Sequence, residues 1–129
     1  MLGALNVSAA DFPPDQSELT QLAGDVAGKV PIIIEDMITT GGSVSHCIDA
    51  LLRAGCRPEV YVAATHGLFV GEAPQRLVRP EIAEVVTTDS LPIPPERRFK
   101  GLTVVSVADL VAAAIHHSHN DQSVSSLFE

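Results

Sequence analysis

The feature that most constrains how this chain folds is an alternation of short β-branched runs with segments of helical periodicity, which begins after Gly28. Residues 30–34 (VPIII) form a continuous apolar run, which is typical of a strand buried on both faces of a sheet. The next segment repeats apolar residues at helical spacing and ends near Gly55, the residue type that most often terminates a helix. Its apolar residues are Val44, Cys47, Ile48, Leu51 and Leu52.

The same alternation continues towards the end of the chain. Further strands are predicted at residues 60–64, 84–87 and 102–105, and further helices at residues 73–78 and 108–117. Strands that alternate with helices in this way favour an α/β domain with a mostly parallel sheet. We therefore predict a three-layer domain over residues 22–129, with a central sheet and helices on both faces. Residues 1–21, which contain the pair Pro13-Pro14, are predicted to be an N-terminal extension or linker.

Composition narrows the possible partners. The chain has 129 residues, of which 46% are hydrophobic and 19% charged, which fits one domain with a substantial core. A net charge of −8 disfavours nucleic acid and anionic membranes as partners. Neither an apolar run of about 18 residues nor a basic N-terminal region is present, so no membrane span or secretory leader is predicted. Cys47 and Cys56 fit neither a disulfide framework nor a zinc spacing, and we predict reduced thiols in a cytoplasmic protein.

The predicted strand ends indicate where a ligand would bind. In open parallel sheets, ligands bind outside the carboxyl ends of the strands. Residues able to bind or react stand at each of these positions, so we expect them to gather at one sheet edge. They are Glu35-Asp36 after the first strand, Thr65-His66 after the second, Thr88-Asp89 after the third and Ser106 after the fourth.

Residues 32–44 (IIIEDMITTGGSV) carry the most informative motif. A strand, two carboxylates and a Thr/Gly/Ser loop lead into a helix N-terminus, and this combination predicts a phosphate cradle. The loop hydroxyls are those of Thr39, Thr40 and Ser43, and Gly41 and Gly42 permit close approach of the backbone. Glu35 and Asp36 suit ribose hydroxyls or Mg²⁺. The alternative is an ordinary strand–turn–helix whose Thr and Ser side chains cap the helix. The glycine spacing fits neither a P-loop nor a dinucleotide-binding fingerprint.

This stretch resembles the phosphoribosyl diphosphate (PRPP) signature of type I phosphoribosyltransferases. Other segments extend the resemblance to the C-terminal domain of the ribose-phosphate pyrophosphokinase (PRPP synthetase) family, over roughly residues 22–129. They are GDVAGK (24–29), ATHGLFVG (64–71), EVVTTDSLP (84–92), LTVVSVADLVAAAIHH (102–117) and SVSSLF (123–128). The resemblance implies the phosphoribosyltransferase-type α/β fold, in a truncated version.

The resemblance also implies roles for single residues. Thr39 to Ser43 would hold the 5-phosphate of ribose 5-phosphate, and Glu35 and Asp36 would lie near the ribose hydroxyls, directly or through Mg²⁺. His66 is either a contact to nucleotide or phosphate or a loop histidine bonded to the backbone. Asp89 is either a polar contact near the ribose or a turn-forming residue. A basic cluster at residues 97–100 (RRFK) is expected to be a solvated loop rather than a contact to phosphate or to a partner.

The chain also departs from that family. The family's N-terminal domain, its pyrophosphate loop and its basic flexible loop have no counterpart in this sequence, and Glu35 and Thr39 stand where many synthetases have Asp. Phosphoryl-type transfer depends on positive charge around the phosphates. We therefore expect a domain of nucleotide biosynthesis that binds ribose 5-phosphate or PRPP with Mg²⁺. The parent kinase reaction converts ATP and ribose 5-phosphate to AMP and PRPP, and we expect this chain alone to be weak or inactive in it. The alternatives are a working transferase completed by another chain and a non-catalytic partner of full-length PRPP synthetase. A homo-oligomer is expected in each case.

Overall fold

The structure, a computed structural model, describes residues 25–128. Strands and helices alternate along this part of the chain, with short 3₁₀ turns at Pro95–Arg97 and Ser125–Leu127. The expected linker at residues 1–21 lies outside the described residues. The elements are β1 (Ile32–Ile38), α1 (Gly42–Arg53), β2 (Val60–Gly67), α2 (Ala73–Leu77), β3 (Ile82–Thr88), β4 (Leu102–Val105) and α3 (Ala108–His119).

The four strands form one parallel sheet in the order β1-β2-β3-β4. One row of the register runs Ile33–Val62–Val85–Leu102 across the whole sheet. Parallel neighbours need crossover connections, and α1 and α2 supply the first two. The predicted α/β class with a parallel sheet is confirmed.

The core lies between α1 and one face of this sheet. Ile33, Val62 and Val85 are buried on that face. From α1, apolar side chains at helical spacing pack into the same cluster, as the sequence periodicity predicts. These side chains are Val44, Cys47, Ile48 and Leu51. Cys47 and Cys56 are both buried and free.

The prediction that the first strand is buried on both faces is wrong. Ile34 is 76% exposed and Ile32 is 50% exposed. Within residues 25–128 β1 is an edge strand, and the helices that pack into the core, α1 and α2, cover the face that carries Ile33. The β-branched run therefore reflects strand propensity and not burial on two sides.

β1, β2 and β3 are also longer than predicted, and in β1 and β2 the backbone pairing continues after the apolar run has ended. Glu35 pairs with Ala64, and Met37 with His66, in the β1–β2 ladder. Glu35-Asp36 and Thr65-His66 therefore lie inside β1 and β2 and not after them. Ladder hydrogen bonds join main-chain groups, so polar side chains near a strand end do not stop the pairing.

Helix α1 ends as the sequence predicts. Gly55 has φ +85°, and its N–H donates to the Leu52 carbonyl at 3.0 Å. The Cys56 N–H donates to the Leu51 carbonyl at 3.2 Å, which completes a Schellman motif. Both Leu51 and Cys56 belong to the core cluster, so the turn also carries the apolar contact typical of this motif. Within residues 25–128 no helix is long and apolar enough to cross a membrane.

Candidate binding site at the carboxyl edge of the sheet

Hydrogen bonds tie the loop after β1 to the loop after β2. The carbonyl of Ile38 accepts from the N–H of Leu68 at 2.9 Å, and the carbonyl of Thr39 accepts from the N–H of Val70 at 2.9 Å. Between these loops Phe69 is buried with φ +46°, a region that bulky side chains rarely adopt. Its ring lies where a Cβ on Gly67 would be, with Cε2 at 2.4 Å from that position. The end of β2 therefore requires glycine, and the packing there fixes the path of both loops.

The Thr/Gly/Ser loop leads from β1 into α1. Residues 39–41 connect the two elements, and Gly42 and Ser43 begin α1. Gly41 is buried with φ +72°, and a Cβ at this position would lie 3.4 Å from Leu77 Cγ of α2. Within the described residues, no side-chain hydrogen bond caps the start of α1. Thr40 and Ser43 are exposed. The alternative that these hydroxyls serve as helix caps is therefore not what the structure contains, and their hydroxyls face solvent at the positive end of a helix.

Glu35 and Asp36 lie near the end of β1 and point to opposite faces of the sheet, as neighbours in a strand do. Glu35 is half-buried beside the core, where burial first and then the charge of Asp36 raise its pKa above the ordinary value of 4.5. Burial, with smaller contributions from Glu35 and Cys56, raises the pKa of Cys47 to about 11. Asp36 is exposed. The two carboxylates are therefore not a matched pair, and Asp36 is the one open to a ligand.

His66 belongs to a polar network between the ends of β2 and β3. Its Nδ1 lies 2.8 Å from Ser90 Oγ. The hydroxyls of Thr88 and Ser90 both donate to the Thr65 carbonyl, at 2.7 and 3.1 Å. The expectation that Thr65-His66 and Thr88-Asp89 gather at one edge therefore holds for the residues between these two strands. Within the part of the chain that the structure describes, the other ring nitrogen of His66, Nε2, makes no hydrogen bond.

Asp89 holds the start of α3. Its Oδ1 accepts from the Val107 N–H at 2.8 Å, and its own N–H donates to the Val105 carbonyl at 3.0 Å. Hydrogen bonding from Ser106, together with the Val107 N–H, lowers the pKa of Asp89. These bonds join the β3 end to the β4–α3 junction. They give Asp89 a structural role. The sequence analysis allowed either a structural role, as a turn-forming residue, or a polar contact near the ribose.

Arg76 of α2 is a cation at the Thr/Gly/Ser loop that the sequence reading missed. Its Nη1 donates to the Thr40 carbonyl at 3.4 Å, and its Nη2 pairs with Glu72 Oε2 at 2.8 Å. The Glu72–Arg76 spacing of four residues on a short helix was the available signal. The basic cluster at residues 97–100 was predicted to be a solvated loop. One residue of that cluster, Arg97, also reaches the edge, where Nη1 donates to the Leu68 carbonyl at 3.2 Å.

The residues at this edge suit Mg²⁺ in part. Mg²⁺ is usually held by one or two carboxylates together with water and substrate phosphate oxygens. Asp36, exposed beside the loop, fits that requirement. Glu35 fits less well, because the burial that raises its pKa also disfavours its charged form. Among the described residues, no group of three or more His, Cys, Asp or Glu side chains is placed so that it could hold a metal ion.

Together these features define a class of protein: a parallel α/β domain whose first strand leads through a Thr/Gly/Ser loop into a helix, with an exposed carboxylate and an arginine beside the loop. A family model described as the phosphoribosyl synthetase-associated domain matches residues 6–129. The chain belongs to this family.

Curated relatives and a solved structure agree with the match. The chain is 46% identical over 115 residues to a ribose-phosphate pyrophosphokinase of Gloeobacter violaceus, which covers 89% of the chain and 34% of the relative. It is 43% identical over 116 residues to a ribose-phosphate pyrophosphokinase of Bifidobacterium longum, and the match covers 90% of the chain and 34% of that relative. The structure of phosphoribosylpyrophosphate synthetase from Mycobacterium smegmatis superposes with a TM-score of 0.73 at 41% identity, covering 77% of this chain and 33% of that one. The chain thus spans about a third of the length of the relatives it matches.

Proposed function

We propose that this chain is a phosphoribosyl-binding domain that takes ribose 5-phosphate or PRPP, with Mg²⁺, at the carboxyl edge of its sheet. It would correspond to the C-terminal part of a PRPP synthetase, because the motifs at residues 32–44, 64–71 and 123–128 resemble that part of the family. The observation that carries the proposal is the Thr/Gly/Ser loop. Its hydroxyls are exposed, its Gly41 has positive φ, and it opens onto the N-terminus of α1.

The chemistry of this loop suits a phosphate monoester. Backbone N–H groups at a helix start carry partial positive charge and point outwards, so they bind anions without a net positive surface. The overall charge of −8 is therefore compatible with phosphate binding. Asp36 would accept hydrogen bonds from ribose hydroxyls or coordinate Mg²⁺, and a bound Mg²⁺ would offset phosphate charge.

Diphosphate transfer makes larger demands than binding. Its catalysis rests on several cations arranged around the transferred group. At the loop, the structure places Arg76, and this guanidinium is already paired with Glu72. We therefore propose that the chain alone is weak or inactive in the parent reaction. The residues that bind ATP and the remaining catalytic groups would come from another chain or from another part of a synthetase.

Isothermal titration calorimetry with ribose 5-phosphate in the presence of Mg²⁺ tests the binding proposal. Wild type is expected to bind, and Asp36→Ala to bind at least about tenfold more weakly, because a hydrogen bond to a charged group contributes about 1.5–3 kcal/mol. Glu96→Gln, which changes an exposed carboxylate on the 3₁₀ turn, serves as the control and should bind as wild type does. Absence of heat from wild type at millimolar ligand would contradict the proposal.

The same preparation, incubated with ATP and ribose 5-phosphate, separates binding from catalysis. Release of AMP at a rate typical of an enzyme would favour the alternative of a working transferase. Binding without AMP release would support the proposed division of labour.

A third role, as a non-catalytic partner of full-length PRPP synthetase, is favoured by the exposed apolar residues of β1 and α3.

A further inference from the structure

We propose that Arg76 is a phosphate-binding residue of this site, the cation that discriminates ribose 5-phosphate from unphosphorylated ribose. The inference rests on the proposed function, and it adds a residue outside the motif. Arg76 lies on α2, more than thirty residues after the loop in sequence, and the fold brings it back to the loop.

Helix α2 is held firmly against the loop. A Cβ on Gly41 would lie 3.4 Å from Leu77 Cγ and 3.7 Å from Ala73 Cα. Ala73 and Leu77 are both buried. Because α2 contacts the loop at its most buried residue, Arg76, which lies between these two anchors in sequence, has a defined position beside the loop.

The guanidinium of Arg76 lies beside Thr40 of the loop and beside Gly42 at the start of α1. Nη1 donates to the Thr40 carbonyl at 3.4 Å and lies 3.4 Å from the position of a Cβ on Gly42. It is therefore beside the start of α1, where the helix N–H groups would meet an anion. A phosphate seated on those N–H groups would lie next to the guanidinium, whose planar donors match phosphate oxygens.

Arg76 still has donors available for that contact. Its ion pair with Glu72 engages Nη2, but the arginine side chain is 42% exposed. Exposed pairs of this kind contribute little to stability, so a phosphate dianion can compete with Glu72 for the guanidinium. Arg79 makes a useful contrast. It contacts Ser45 in the first turn of α1, yet it is only 20% exposed and pairs with both Asp49 and Glu81.

The local charge also calls for a cation. Ribose 5-phosphate brings its negative charge close to Asp36 and Glu35 at the end of β1. The partial charge at a helix start is about half an elementary charge, which does not balance a phosphate dianion. Arg76 adds a full positive charge beside the loop.

The test compares ribose 5-phosphate with ribose, by calorimetry, in wild type, Arg76→Gln and Arg76→Lys. Arg76→Gln is expected to weaken ribose 5-phosphate binding by at least about tenfold, as for loss of a hydrogen bond to a charged group, while Arg76→Lys recovers part of the loss. Binding of ribose should change little in both variants. The affinity gap between the two ligands should also fall with added salt in wild type and far less in Arg76→Gln.

Glu72→Gln is the matched control, because it removes the partner of Arg76 and leaves the guanidinium in place. It should bind ribose 5-phosphate as tightly as wild type or more tightly. If Arg76 only braced the loop, Glu72→Gln and Arg76→Gln would weaken both ligands alike, and that result would overturn the inference. Equal ribose 5-phosphate binding by wild type and Arg76→Gln would overturn it and leave the proposed function standing. No binding by wild type would overturn both.

Discussion

Glu35 is a residue at which burial and charge oppose stability. The side chain is half-buried on the core face of β1, and both desolvation and the neighbouring Asp36 disfavour its ionised form. Groups held in this state at a strand end are common where a protein gives up stability for a binding site. The effect of Glu35 on the free energy of unfolding can therefore be measured separately from its effect on ligand binding.

The substitution Glu35→Gln is expected to stabilise the fold at neutral pH. Because the folded state raises the pKa of Glu35 above 4.5, it holds the proton more tightly than the unfolded state does. The wild type therefore loses stability as pH rises from the ordinary pKa through the raised one, and the variant does not. Urea unfolding from pH 4 to pH 8 should show curves that diverge in favour of the variant as pH rises.

Glu96→Gln serves as the control for this comparison, since Glu96 is exposed on the 3₁₀ turn. Its difference from wild type should stay small across the same pH range. A Glu35→Gln protein that is less stable than wild type at pH 8 would contradict the prediction and would show that the carboxylate makes a compensating interaction. Weaker ribose 5-phosphate binding by Glu35→Gln would show that this carboxylate lowers stability but contributes to binding.

At the scale of single elements, glycines mark where the chain turns. Gly55 could be assigned from sequence, because a helical apolar pattern stops there and glycine adopts positive φ without strain. The bounds of β4 are also those predicted. The ends of β1 and β2 could not be predicted, because pairing of Glu35 with Ala64 depends on a neighbouring strand and not on local residue type.

The substitution Gly55→Ala tests how α1 ends. Space is not the obstacle, since an added Cβ would come no closer than 3.9 Å to Ala27 Cβ. The cost arises from φ +85°, which L-residues avoid by about 1–2 kcal/mol. We expect the free energy of unfolding to fall by that amount in urea denaturation. Gly55→Asn is the matched comparison and should lose less, since Asn tolerates this conformation better. A loss below about 0.3 kcal/mol for Gly55→Ala would contradict the account, given the usual cost of the conformation.

At the scale of the whole molecule, the sequence predicts the fold class and the loop but not the surface. Alternating strands and helices specify a parallel sheet, and the Thr/Gly/Ser motif indicates where on that sheet we propose a binding site. Arg76 was missed because its approach to Thr40 depends on how α2 packs. The exposure of Ile34 was missed because an apolar run has the same pattern whether its outer face is covered by this chain or by another.

That outer face leads to a prediction about assembly. β1 is an edge of the sheet within residues 25–128, and its exposed face carries Ile32 and Ile34. An exposed apolar edge strand favours pairing with another chain, so we expect a homo-oligomer whose contact includes β1. In α3, Ile115 is 65% exposed and offers a second apolar surface.

Sedimentation velocity over a range of protein concentrations measures this association. Burying one isoleucine side chain contributes about 1.5–3 kcal/mol, so Ile34→Glu should weaken self-association by at least about tenfold. Val78→Glu changes an exposed apolar residue that follows α2 and does not belong to β1, and it should leave association unchanged. A wild type that stays monomeric at all concentrations would contradict a homo-oligomer. Equal effects of the two variants would place the contact elsewhere than β1, since a charge at the contact must cost more than a charge outside it.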